Sequence, residues 1–147
     1  MQQSGKLIGV GLFAVLLHVL STSASETTLF AADGAAVAYI ADDQTIYLWS
    51  GDAVGYIEAG YSGDLNVYSS GGQHLGWYGA GVLRDHEGRR LAACAGALSP
   101  LTGSEPAKAA KKPLERQKFK STPPIKPLFT NDWAKQRLDE VFKQGGC

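Results

Sequence analysis

Between Leu29 and Cys94 apolar and polar residues alternate in short bursts, and the bursts repeat. Four windows align without gaps: Leu29–Ile40, Ile46–Ile57, Val67–Tyr78 and Leu83–Cys94. The sixth place is always glycine (Gly34, Gly51, Gly72, Gly88) and the ninth always aliphatic (Val37, Val54, Leu75, Leu91). The tenth is always small (Ala38, Gly55, Gly76, Ala92). The eleventh is aromatic in Tyr39, Tyr56 and Trp77, with Ala93 the exception. Strand-like alternation around a glycine-centred turn predicts four β-hairpins.

A two-residue primed turn needs positive φ, which glycine reaches without steric cost. Asp33-Gly34, Ser50-Gly51, Gly71-Gly72 and Glu87-Gly88 fit that description. Counting outward from such turns pairs Phe30 with Val37, Tyr47 with Val54, Tyr68 with Leu75 and Arg84 with Leu91. It also sets Asp85 opposite Arg90. Side chains alternate faces along a strand. One face then carries Phe30, Val37, Tyr39, Tyr47, Val54, Tyr56, Tyr68, Leu75 and Trp77. The other carries Leu29, Ala38, Ile40, Ile46, Gly55, Ile57, Val67, Gly76, Tyr78, Leu83, Ala92 and Cys94. A lone hairpin is not stable in water. Four hairpins round a common axis bury each other, and small tenth-place residues let their backbones approach. The expected fold is all-β, four short hairpins in pseudo-four-fold arrangement.

The pattern resembles the four-fold beta-flower family. The resemblance rests on the four hairpins, on His74-Leu75-Gly76-Trp77-Tyr78, on Arg84-Asp85-His86-Glu87-Gly88, and on a Lys/Pro tail reaching Pro123-Pro124-Ile125-Lys126-Pro127-Leu128. It implies a small all-β domain with no established activity. An apolar leader and a longer connector from Glu58 to Asn66 depart from the family pattern.

Outside the repeat the composition changes. Residues 1–25 have the layout of a secretory signal: Lys6, an apolar run from Leu7 to Leu20, and small residues Ser21 to Ser25 for cleavage. The run is short for a membrane span, so a cleaved signal is favoured over an anchor or a buried helix. The four-hairpin domain covers 26–98. All six prolines fall between Pro100 and Pro127, and residues 99–128 read as a flexible basic linker. In residues 129–147, an amphipathic stripe of Trp133, Leu138, Val141 and Phe142 predicts a short helix, capped at Asn131 or Asp132 and ended at Gly145. Residues 26–98 hold nine acids against three arginines, a net of −6, and residues 99–147 hold ten Lys/Arg against five acids, +5. That division predicts head–tail attraction, with Trp133 and Phe142 docked on an apolar surface of the head or of a second copy.

Candidate chemistry is sparse. His86 beside Asp85 falls on a turn tip, with no nucleophile placed to complete a catalytic site. His74, His86 and Cys94 match no metal-ligand spacing. Cys94 reads as a buried small hydrophobe, and Cys147 as an exposed thiol able to join two chains. Tyr39, Tyr56, Trp77 and Tyr78 are the candidate ligand contacts, with Trp133 on the tail, although a repeated aromatic is first of all packing. The expected role is an exported, non-enzymatic structural or protein-interaction module, secreted or periplasmic, without cofactor, metal or nucleic acid and with a cell-envelope protein or a second copy as partner. The alternative is a module binding cell-wall sugars or amines through the repeated aromatics.

Overall fold

The computed structural model describes residue 5, residues 25–98 and residues 103–145. Eight strands follow one another as an antiparallel meander: β1 (Thr27–Phe30), β2 (Ala36–Ile40), β3 (Thr45–Tyr47), β4 (Ala53–Ala59), β5 (Leu65–Ser69), β6 (His74–Gly79), β7 (Val82–Arg84) and β8 (Arg90–Cys94). β8 returns to β1 through Leu29–Cys94 and Phe30–Ala93, closing a barrel. Closure leaves no strand edge unpaired. One helix, α1 (Leu138–Gln144), follows.

The hairpin turns differ from the two-residue form. Gly34 N–H donates to the Ala31 carbonyl and Ala31 N–H to the Ala35 carbonyl, both at 2.9 Å. The same pair of bonds recurs around Gly51, Gly72 and Gly88, whose φ values are 85°, 82° and 78°. Each is a three-residue loop whose last member is a left-handed glycine, the loop that carries a β-bulge. The bulge moves the register. Phe30 pairs with Ala36, Tyr47 with Ala53, Tyr68 with His74 and Arg84 with Arg90, in place of Val37, Val54, Leu75 and Leu91. In every unit the extra residue is the ninth-place aliphatic. A bulge re-aims its side chain, so Val37, Leu75 and Leu91 join the core instead of the aromatic face. Asp85 consequently meets Arg89, at 3.0 Å, and not Arg90.

The barrel interior holds the second face as expected: Leu29, Ala38, Ile40, Ile46, Ile57, Val67, Leu83 and Ala92. The small tenth place is a packing requirement. A Cβ on Gly76 would collide with the Arg84 carbonyl, and one on Gly55 would lie 2.5 Å from Phe142 Cε1. Phe142 and Leu138, both buried, belong to the same core cluster. α1 therefore plugs the mouth ringed by the four turns, beside Val37, Leu75 and Leu91. Ser69 Oγ donates to the Gly145 carbonyl at 2.7 Å and fixes the end of the plug. Burying a phenylalanine side chain contributes about 2–3 kcal/mol.

The helix is shorter than the periodicity predicts. It starts after Arg137 because the preceding backbone is already committed: Arg90 N–H donates to Asp132 O and Ala134 N–H to Arg90 O, each at 2.8 Å. Those bonds hold Trp133 in an isolated bridge to Arg90, half-buried. Gly145 is the C-cap, as expected.

Composition predicts a flexible linker over 99–128, and the structure differs there. Residues 103–137 run in extended form round the outside of the barrel as a strap. Lys112 N–H donates to Gly51 O at 2.9 Å, Ser121 N–H to Gly72 O at 2.9 Å, and Thr130 N–H to Gly88 O at 3.1 Å. Gly103 packs on the Gly34 carbonyl so closely that a Cβ would collide. Positions 103, 112, 121 and 130 are nine apart, so one strap unit serves each hairpin turn.

Candidate functional site

The outer wall is built at the seams between hairpins. The eleventh residue of one unit lies opposite the second residue of the next: Tyr39–Tyr47, Tyr56–Tyr68, Trp77–Arg84 and, across the closure, Ala93–Phe30. Tyr39 and Tyr47 stack with ring centroids 5.5 Å apart, as do Tyr56 and Tyr68. Trp49 joins the first pair at 5.3 Å and donates its indole N–H to Ala36 O at 2.9 Å.

Strap cations cover these rings. Lys108 Nζ lies 4.6 Å from the Tyr39 centroid and Lys111 Nζ 5.4 Å from that of Tyr47. Arg116 lies 4.2 Å over Tyr56, and Lys120 5.4 Å over Tyr68. At the third seam the roles are exchanged. The wall supplies the cation, Arg84, and the strap supplies the ring, Phe129, at 4.7 Å. Arg84 therefore replaces an aromatic because its strap partner is one. Lys111, Lys120 and Phe129 are nine apart, matching the turn contacts. Ion pairs run alongside: Glu26 with Lys108 and Lys111, Asp52 with Lys112, Glu58 with Lys120, Asp64 with Lys126. The lysine hydrogen bonds hold the Glu26, Asp52 and Asp64 carboxyls below their ordinary pKa.

The candidate aromatics separate under this geometry. Tyr39, Tyr56 and Trp77 are at most 3% exposed, on the outer wall beneath the strap. Tyr78 points the other way, half-buried against the core cluster, where burial and neighbouring Cys94 push its hydroxyl pKa up. Trp133 sits apart beside Arg90. Cys94 is a free thiol, half-buried instead of fully buried, while Cys147 and the leader, save Gly5 and Ser25, lie outside the described residues. Among the described residues no group of three His, Cys, Asp or Glu side chains is placed to hold a metal ion, and no helix is long and apolar enough to cross a membrane.

Two features escape the sequence reading. The first is a hydrogen-bonded chain in the wall. His74 Nε2 lies 3.0 Å from Asn66 Oδ1, and His74 Nδ1 lies 2.9 Å from His86 Nε2. The two imidazoles are parallel to within 2° with centroids 5.1 Å apart, so with that short N–N distance they lie edge to edge in one plane. Asn66 Oδ1 only accepts, which places the His74 proton on Nε2 and makes His86 the donor to Nδ1. His74 is 2% exposed, and burial, with His86 adding to it, lowers its pKa to about 4. Asp85 and Glu87 flank the pair in a cavity of about 260 Å³, but both carboxylates bond Arg89. The arrangement positions a neutral imidazole rather than activating one.

The second is a groove of about 660 Å³ between the outer wall of β4–β6 and strap residues 120–126. Trp77, Tyr68 and Asn66 lie along its floor, and Glu58, Asp64, Lys120 and Lys126 along its sides. Tyr61 stands at the rim fully exposed, on the long connector that the sequence singles out. The nine-residue recurrence in the tail was the signal for the strap.

A protein-family model described as "4-fold beta flower protein" matches residues 27–142. Neither the curated proteins nor the solved structures contain a match.

Proposed function

This chain belongs to the 4-fold beta flower family, and we propose that it acts as an exported, non-enzymatic interaction module presenting the exposed apolar residues of its strap and β4–β5 connector to a partner in the cell envelope. The distribution of exposed apolar side chains carries this reading. Among the described residues the large exposed hydrophobics are Tyr61, Phe119, Ile125, Leu128 and Phe129. Tyr61 belongs to the β4–β5 connector, and the rest to the strap segment that passes the third and fourth turns. The strap elsewhere carries Ala107, Ala109 and Ala110 outward beside its lysines. Exposed apolar side chains gathered in one region mark interaction surfaces. The interior offers no alternative, since side chains and α1 fill it. The leader composition supports export.

The repeated aromatics support the sugar- or amine-binding alternative less well, because strap cations occupy the Tyr39 and Tyr56 rings, Trp77 is buried in the wall and Tyr78 packs against the core cluster. The test is retention of the purified chain on an envelope fraction from its native host. Ile125→Asp with Leu128→Asp is expected to lower retention at least fivefold, while Ala107→Asp, on the strap over the first seam, leaves it unchanged. If the unaltered chain is not retained, or if all three behave alike, the reading fails.

A further inference from the structure

We infer that the groove between β4–β6 and the strap binds a neutral saccharide, held by Tyr61 and by the paired acids and lysines of its walls. The inference rests on the interaction-module reading and deepens it. Its size comes first: about 660 Å³ lies within the range of sites for small ligands. Its charges come next. Glu58 and Asp64 on the barrel side face Lys120 and Lys126 on the strap side, each acid paired with one ammonium. The groove is thus balanced: a cationic ligand would meet two ammonium groups beside the carboxylates, and an anionic one two carboxylates beside the ammonium groups. Neutrality follows.

The hydrogen-bonding capacity decides between neutral ligands. A carboxylate accepts at several positions, and an ammonium carries three donors, so one ion pair satisfies neither. Ser62 Oγ donates to Asp64 at 2.8 Å, leaving its oxygen as an acceptor within the same lining. Donors and acceptors therefore alternate along the walls. A hydroxyl both donates and accepts, and a sugar ring carries several. A polyproline stretch offers carbonyl acceptors alone and would leave Glu58 and Asp64 unmatched. The apolar side of a sugar ring also needs a flat partner. Tyr61 supplies one at the rim, with its ring free of packing, and Pro123 and Pro124 add apolar ring surface to the same lining.

The test is a titration of the full chain, uniformly ¹⁵N-labelled, followed by amide chemical shifts. The probes are cellotetraose, chitotetraose and maltotetraose, with tetralysine, tetragalacturonate and decaproline as the charged and peptide comparisons. At least one neutral tetrasaccharide is expected to shift amides in 58–66 and 120–126. Tyr61→Ala is expected to weaken its Kd at least fivefold, and Asp64→Asn to weaken it as well. Tyr61 is wholly exposed, so its loss leaves the fold intact and the amide spectrum checks this directly. Shifts from tetralysine, tetragalacturonate or decaproline in preference to every sugar would overturn the inference. So would equal binding by Tyr61→Ala. Envelope retention that persists while no tetrasaccharide binds would remove the saccharide and leave the interaction module standing; loss of both would remove both.

Discussion

His74 is a basic side chain held where a proton does not reach it cheaply. Buried in the wall, bonded at both ring nitrogens, it stays neutral to about pH 4, whereas the unfolded chain protonates it near the ordinary histidine value of 6.5. The folded pKa is depressed, so below pH 6.5 the unfolded state binds the extra proton. Stability is full above pH 6.5, falls as pH drops towards 4, and levels below that. The loss between pH 7 and 4.5 is expected to be about 2–3 kcal/mol. Urea unfolding across that interval measures it, and His74→Gln should flatten the slope. The lysine-paired carboxylates contribute lower, below about their ordinary values of 3.8 to 4.5, so the two windows separate. A slope confined to the region below pH 4.5 would assign the whole effect to them. The position of His74 was not legible from its neighbours in sequence. The bulge at Leu75 sets it opposite Tyr68, and a two-residue turn count misses that shift.

At the scale of elements, the strap and the barrel wall form one repeating contact. Its third occurrence exchanges cation and ring, which gives a direct test. Phe129→Lys places an ammonium against Arg84 and is expected to cost about 1–2 kcal/mol. Arg84→Tyr alone also loses the guanidinium bonds to the carbonyls of Gly88 and Thr130. Combining the two restores a cation over a ring in the order used at the other seams. The double variant should be less unstable than the summed single losses by about 0.5–2 kcal/mol, read from chemical denaturation of all four proteins. Strict additivity would mean that the rings and cations merely lie near each other. The hairpins, the inner face and Gly145 as helix terminator were all readable from periodicity. The strap was not, because a Pro/Lys-rich composition resembles that of a solvated linker. What distinguishes it is long-range: the carbonyls of Gly51, Gly72 and Gly88 accept its N–H groups, and the nine-residue recurrence in the tail acquires meaning only once those turns are known to be its partners.

For the molecule as a whole, charge division becomes a belt. The acidic barrel and basic strap meet through ion pairs that remain partly exposed, and such pairs weaken as salt shortens the screening length to about 3 Å at 1 M. Hydrogen exchange at the amides of Lys112, Ser121 and Thr130 is expected to quicken from 0.05 to 1 M NaCl, while amides of β2, β5 and β6 keep their protection. Unchanged strap protection would show that its backbone bonds and prolines hold it without help from charge. The net charges of the two halves were legible in the sequence. Their arrangement, one pair after another round the circumference, needed the nine-residue spacing.

The closing of the mouth by α1 also has a consequence in time. The strap's docking carbonyls lie on four turns spread from Gly34 to Gly88, and the helix seats on residues from β2 to β8. Every one of these partners precedes the tail in the chain. During synthesis, which proceeds towards the C-terminus, all eight strands have emerged before α1 exists. Contacts so distant in sequence form late. The nascent barrel therefore passes through an interval with Leu75, Leu91 and the inner face of Gly55 open to solvent, and the arrival of Leu138 and Phe142 ends it. Assembly has a fixed last step, and any chaperone that reads exposed apolar surface has that interval in which to bind.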